Sequence, residues 1–164
     1  MLSFEDCVSL IKIRSELMSS AVKGSMAALI GFDIAELRKS IEALDDVVIA
    51  NDNSSSQVVL SGKREELENL SKIISCKRFI FLNVSGAFHS HFMKEPSQKF
   101  SKYLDDINFK KPILPVISNS NPTFCSDANE LKIRLKNQMC NGVRWRETMD
   151  LIKVQGEDLS LIHI

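Results

Sequence analysis

The sequence predicts an α/β fold built on a β-α-β-β-α-β unit over residues 24–84, and three observations predict it. Within that stretch, short runs rich in β-branched residues alternate with segments whose apolar residues recur at helical spacing. Read in order, the runs give the ferredoxin-like arrangement. The whole chain of 164 residues is 44% hydrophobic with zero formal net charge, enough to bury one sizeable core or two small ones.

The chain opens with Ser3-Phe4-Glu5-Asp6, a helix start with Ser3 as N-cap and two acids in the first turn to complement the helix dipole. The spacing carries this helix to about Ser20. It gathers Phe4, Cys7, Val8, Leu10, Ile11, Leu17 and Met18 on one apolar arc, with Glu5, Ser9, Lys12 and Glu16 opposite. Arg14 falls inside the apolar arc. Either it snorkels outward along its own stem or it meets a buried anion, because an unpaired buried charge costs several kcal/mol.

From Gly24 the pattern changes. Met26 to Phe32 is a strand stopped by Asp33, and Ile34, Leu37, Ile41 and Leu44 then mark a helix. Val47 to Asn51 and Gln57 to Leu60 are strands joined by the turn-forming cluster Asp52-Asn53-Ser54-Ser55-Ser56. Glu65 to Ser75 carries Leu67, Leu70 and Ile74 at helix spacing, and Arg78 to Val84 is the last strand. Each helix has a single apolar stripe, so the expectation is a four-stranded antiparallel sheet with both helices on one face.

That last strand delivers the chain into Ser85-Gly86-Ala87-Phe88-His89-Ser90-His91-Phe92-Met93. Small residues followed by a histidine at a strand end present an imidazole on a loop; the plainer reading is a loop histidine without a task. Beyond it, Pro96 to Leu104 reads as a helix, Lys111 to Asn119 as a strand with proline at its entry, and Asp127 to about Met139 as a helix.

Composition excludes several classes of function. Lys and Arg are interspersed with Asp and Glu, which argues against nucleic acid or an acidic membrane surface. RNA-binding sheets of this type stack bases on aromatic side chains, and Val47 to Asn51 and Gln57 to Leu60 contain none. No apolar run approaches the roughly 18 residues of a membrane span, and Glu5 and Asp6 stand where a signal peptide would be basic. Cys7, Cys76, Cys125 and Cys140 form no C-x-x-C pair, and His89 and His91 lack a spaced second pair, so no metal site is predicted. A cytoplasmic setting is expected.

Segments along the chain carry a family resemblance in one order. The stretch ending Arg14-Ser15-Glu16-Leu17-Met18 is similar to an Arg-x-x-Leu-Met segment. Asn51-Asp52-Asn53-Ser54-Ser55-Ser56-Gln57-Val58-Val59-Leu60-Ser61-Gly62 is similar to an Asn-x-Asn-Ser-Pro-Gly-Gln-Val-Val-hydrophobic-Ser-Gly hairpin, with Ser55-Ser56 in place of Pro-Gly. Ala87-Phe88-His89-Ser90 with Met93 is similar to a histidine motif, and Pro115-Val116-Ile117-Ser118-Asn119 and Val143-Arg144-Trp145 follow. Together these resemble malonyl-CoA:acyl carrier protein transacylases and the related polyketide acyltransferase domains.

The resemblance implies a ferredoxin-like small subdomain at 24–84, inserted in a partial α/β-hydrolase-like acyltransferase subdomain to which 1–23 and 85–158 belong. It assigns His89 as the catalytic base and Arg14 as the clamp on the substrate's free carboxylate, which a planar guanidinium can hold with two hydrogen bonds. Asn53 becomes the candidate for a polar contact near the acyl group, its alternative being local backbone bonding. Phe88 becomes a bulky residue crowding an α-methyl branch, its alternative being to pack the loop. Met18 lies one turn from Arg14, as substrate contact or core filling.

The implied function is transfer of a malonyl group from malonyl-CoA to the phosphopantetheine thiol of an acyl carrier protein through a serine acyl-enzyme, with no permanently bound cofactor, by a monomer. A polyketide synthase domain is the alternative, and a non-catalytic ferredoxin-like binding module the alternative from another class. The family's glycine-flanked serine elbow has no counterpart, since no G-x-S-x-G occurs in the sequence, so the chain is expected to be an inactive fragment. Leu159 to Ile164 resembles the translation of a sequencing-library adapter and is expected to be artificial, which removes His163 from the chemistry.

Overall fold

The computed structural model describes residues 2–21 and 23–154; the tail expected to be artificial, 159–164, lies outside the described residues. Its elements in chain order are α1 (Phe4–Ser19), β1 (Ser25–Phe32), α2 (Ile34–Glu42), β2 (Val48–Ser54), β3 (Gln57–Gly62), α3 (Arg64–Ile73), β4 (Cys76–Phe81), α4 (Lys94–Asp105), β5 (Val116–Ser118), β6 (Asn121–Cys125), α5 (Ala128–Asn137) and α6 (Trp145–Val154). The class is mixed α/β. Among the described residues no helix is long and apolar enough to cross a membrane.

The first four strands form one sheet in the order β2-β3-β1-β4, with every neighbouring pair antiparallel. Alternation along the strands divides the sheet into two buried faces. Leu29, Val58 and Leu60 meet Leu37 of α2 and Leu67 and Leu70 of α3 in one cluster, so both helices cover the same face as expected. Met26, Ala28, Ala50 and Val59 form the opposite face, onto which Leu82 and Phe88 pack. A second body of core, Leu10, Met93, Phe100, Leu104 and Met139, is supplied by helices and turns outside the sheet, and Phe88 packs against that cluster too. The residue before His89 is thus held by two cores at once.

Local chemistry explains the boundaries. Ser3 accepts from Asp6 N–H at 3.0 Å, Asp33 from Glu36 N–H at 2.8 Å and Asp127 from Glu130 N–H at 2.8 Å, so α1, α2 and α5 each begin one residue after a side-chain cap. The β2–β3 connection closes on Ser55-Ser56, with Ser54 opposite Gln57. Ser56 N–H donates to Ser54 Oγ at 3.2 Å and its carbonyl accepts from Gly31 N–H at 2.8 Å. Neither turn serine has positive φ, so the turn is not of the primed type, and the ladder register shifts between Asp52 and Ser54.

Two expectations are corrected. The apolar arc of α1 is only partly buried: Leu10, Ile13, Leu17 and Met18 join the helical core, whereas Phe4, Val8 and Ile11 are 82%, 50% and 68% exposed. The helix packed on α1 is α4, and the contact reaches only part of the arc. The strand expected over Lys111 to Asn119 is reduced to Val116–Ser118, because Pro112 and Pro115 offer no N–H to a ladder, and Ile113 is fully exposed. Two elements were not foreseen. β6 contains Pro122, which the run of residues disguised, and its hairpin with β5 is fastened to α5 by Arg134, whose Nη1 donates to Asn121 O at 3.1 Å and Thr123 O at 2.9 Å. α6 begins on Trp145, the last residue of the Val143-Arg144-Trp145 motif, whose helical continuation the motif reading left out.

Candidate active site

The loop from β4 to α4 is built to put one imidazole in an unusual backbone state. At Gly86 the loop runs so close to the end of α1 that a Cβ there would sit 2.1 Å from Ala21 O, and Ala87 N–H then donates to Lys23 O at 2.9 Å. On the far side, Ser90 caps the 3₁₀ turn His91–Met93: its hydroxyl accepts from Phe92 N–H at 3.3 Å, and its carbonyl accepts from Met93 N–H at 3.0 Å. Between these two anchors His89 takes φ 58°, the one positive φ of a non-glycine among the described residues. A left-handed backbone at such a residue costs of order 1–3 kcal/mol and persists only where its surroundings impose it.

The ring is held as firmly as the backbone. His89 Nδ1 lies 3.2 Å from Gln138 O and 3.1 Å from Asn141 O. A carbonyl oxygen only accepts, so Nδ1 carries the proton and donates to both, which leaves the Nε2 lone pair as the free acceptor. Burial pushes the His89 pKa below the ordinary imidazole value; the two carbonyls oppose that and the nearby Arg14 cation adds to it. A neutral imidazole with one free lone pair is the state a general base requires.

Arg14 reaches the same place from α1. Its Nη2 donates to Gln138 Oε1 at 2.6 Å, and burial lowers the guanidinium pKa. Among the described residues it makes no ion pair with an acid, although Arg64, Arg134, Arg144 and Arg146 each do. Gln138 therefore joins the two predicted residues, holding the guanidinium with its side chain and the imidazole with its backbone. A cavity of about 530 Å³ opens on His89, walled by Val48, Ile49, Lys94, Cys140, Asn141 and Gly142. A larger one, about 620 Å³, lies along Leu17, Lys23, Phe92 and Lys99; it shares His91 and Lys94 with the first but does not reach His89.

The remaining predicted residues are placed differently. Met18 packs into the helical core and Phe88 between the two cores, the plainer of the readings open for each. Of the predicted residues only His89 lines this cavity; Arg14, Met18 and Phe88 do not, and Asn53 stands towards the hairpin end of β2, while Val48 and Ile49 from the other end supply the wall. His91 also lines the His89 cavity, with its Nε2 2.9 Å from Asp46 Oδ1. Asn141 was missed because it acts through its backbone carbonyl, which every residue has, and Gln138 because its amide meets Arg14 only through a contact 124 positions apart. The one available signal was Gly142, where a Cβ would sit 2.6 Å from Ile49 O, so the turn must pass very close to β2.

All 164 residues match the family model for the acyl transferase domain. The chain belongs to the acyl transferase domain family. Over 146 residues it is 44% identical to a malonyl CoA-acyl carrier protein transacylase of Synechocystis, a match that covers 89% of this chain and 50% of that protein. The crystal structure of a Synechocystis malonyl-CoA:ACP transacylase superposes with a TM-score of 0.90 at 42% identity, covering 93% of this chain and 52% of that one. A malonyl-transacylase solved in complex with its type II polyketide synthase acyl carrier protein gives 0.87 at 31% identity, covering 94% and 53%. This acyl transferase domain chain thus spans about half the length of the relatives it matches. Within the matched stretch, His89 and Arg14 both hydrogen-bond to Gln138.

Proposed function

We propose that these residues form the base-bearing and carboxylate-binding part of an enzyme that moves a malonyl group from malonyl-CoA to the phosphopantetheine thiol of an acyl carrier protein in the cytoplasm. The observation that carries this reading is the convergence of Arg14 and His89 on Gln138. A malonyl thioester is an anion at one end and an electrophile only a few atoms away, so a site for it needs a cation and a base side by side. The neutral Gln138 amide holds the guanidinium until a carboxylate replaces it with the stronger, charge-assisted pair.

In the first half-reaction a serine oxygen bonds to the thioester carbon while His89 Nε2 takes the serine proton. The tetrahedral intermediate then collapses, and the carbon–sulfur bond breaks as His89 returns that proton to the departing CoA thiolate. The carrier thiol repeats the sequence in reverse, losing its proton to His89 and releasing the serine. Nδ1–H stays on the Gln138 and Asn141 carbonyls throughout, which keeps the ring aimed. The serine comes from outside these 164 residues' motifs, and backbone donors near it stabilise the oxyanion.

On this reading residues 24–84, with their strand order β2-β3-β1-β4, are a ferredoxin-like small subdomain, and 1–23 and 85–158 belong to an α/β-hydrolase-like larger one. The carrier protein in the polyketide-type complex supports a second reading of the same chemistry, in which the acceptor is a polyketide carrier. Completed with the parts of the Synechocystis relative that it lacks, the chain should load malonyl onto a holo carrier protein. Unchanged carrier mass would end the proposal, and the carrier loaded faster would separate the two readings.

The imidazole supplies a test on the chain as it stands. Because burial lowers its folded pKa, His89 should titrate below the ordinary value of about 6.5 in an NMR titration. The unfolded chain binds this proton first as pH falls, so the stability contributed by neutral His89 is full above about pH 6.5 and is lost as pH drops through the lower folded value. Arg14→Gln removes a neighbouring cation and should move the His89 midpoint upward. A midpoint at or above 6.5 in the unmodified chain would contradict the buried, neutral base.

A further inference from the structure

The two carbonyls that fix His89 sit on the irregular segment 138–144 between α5 and α6, and something must hold that segment in place. Gln138 is anchored as the C-cap of α5, its N–H donating to Leu135 O at 3.3 Å. Asn141 has no such support from its own helix. Downstream of it the chain is laid on β2: Val143 N–H donates to Ala50 O at 2.7 Å and Asp52 N–H to Val143 O at 2.8 Å, forming a parallel bridge, with Gly142 close against Ile49 O.

The clamp is closed by a forked ion pair. Arg146, in the first turn of α6, donates from Nε to Asp52 Oδ1 at 3.0 Å and from Nη2 to Asp52 Oδ2 at 2.7 Å. The Asp52 side chain is 14% exposed and that of Arg146 36%, so the pair is partly shielded and its forked geometry is what sets it apart. Asp52 occupies the unspecified position of the Asn-x-Asn pattern, and Arg146 follows Val143-Arg144-Trp145, so neither is among the residues that carry the family resemblance.

We infer that Asp52 and Arg146 are positioning residues for the base: by pinning α6 and the segment before it to β2, they hold the Asn141 carbonyl on His89 Nδ1–H and so select the tautomer that leaves Nε2 free. This rests on His89 being the base, but the readout below is the tautomer itself and needs no acyl transfer. A negative result here therefore leaves the reading of His89 untouched, and a failure of acyl transfer leaves this inference untouched.

The test is ¹⁵N NMR of histidine-labelled 164-residue chain, with the His89 signals assigned by His89→Gln. In the unmodified chain Nδ1–H should dominate. Asp52→Ala and Arg146→Ala should each lower the ratio of Nδ1–H to Nε2–H tautomers about fivefold, the equivalent of one net hydrogen bond of two. The double variant should match either single one, because the pair acts as a unit. Leu29 amide shifts in β1 report whether the sheet is intact. Should an alanine variant fail to fold, the near-isosteric Asp52→Asn carries the same readout. An unchanged His89 tautomer ratio in folded single variants would overturn the inference, and so would effects of the two substitutions that add.

Discussion

Purified and incubated with malonyl-CoA, the 164-residue chain is expected to gain no malonyl mass. Covalent transfer needs a nucleophile within hydrogen-bond reach of its base, and the chain contains no G-x-S-x-G elbow. The serines nearest His89 in sequence do not replace it. Ser90 is buried with its hydroxyl donating to Ala87 O, and Ser85 is an exposed residue ahead of Gly86. In a serine hydrolase, losing the nucleophile costs about 10⁶-fold in kcat, and losing one oxyanion donor alone costs roughly 10²- to 10³-fold. These factors do not add, but the first is enough to place transfer below detection. Intact mass spectrometry reads the outcome. A stable malonyl adduct that disappears in His89→Ala would show that the chain carries its own nucleophile.

The second large effect is expected at Arg14, in the enzyme completed with the missing parts of its Synechocystis relative. Truncating one partner of a buried, hydrogen-bonded charge pair costs about 2–5 kcal/mol, so Arg14→Ala should lower kcat/KM for malonyl-CoA by roughly 30- to 5,000-fold. Acetyl-CoA has no carboxylate, and its kcat/KM should change little. Arg14→Lys should fall between, since an ammonium offers a point charge where the guanidinium offers a fork. Equal losses for both thioesters would mean that Arg14 supports the fold around Gln138 and does not read the substrate.

How far this site was legible in the sequence depends on what each residue contributes. The sheet and its two helices were legible because each element repeats a simple pattern, β-branched runs against helical stripes such as Leu67 and Leu70, and because Asp33 is a side-chain cap visible in the letters. That His89 and Arg14 come together was legible because both lie in recognisable segments. Asn141 was not, because a backbone carbonyl has no letter of its own and its usefulness depends on a turn, and the Gln138 amide was not, because its partner Arg14 lies 124 positions away. The Asp52–Arg146 pair was hidden for another reason. Its partners are 94 positions apart, and only the docking of segment 138–144 on β2 brings them together. Phe4, Val8 and Ile11 show the opposite failure: a helical pattern announces an apolar face, but not which part of that face this chain covers.

The most direct test of the central claim, that His89 and Arg14 act on two ends of one acyl group, is a comparison of kcat/KM for malonyl-CoA and acetyl-CoA in His89→Ala and Arg14→Ala forms of the completed enzyme. A positioned general base is worth about 10²- to 10⁴-fold and serves any thioester, so His89→Ala should slow both substrates alike, while Arg14→Ala slows malonyl-CoA alone. Normal rates with both thioesters in His89→Ala would contradict the account.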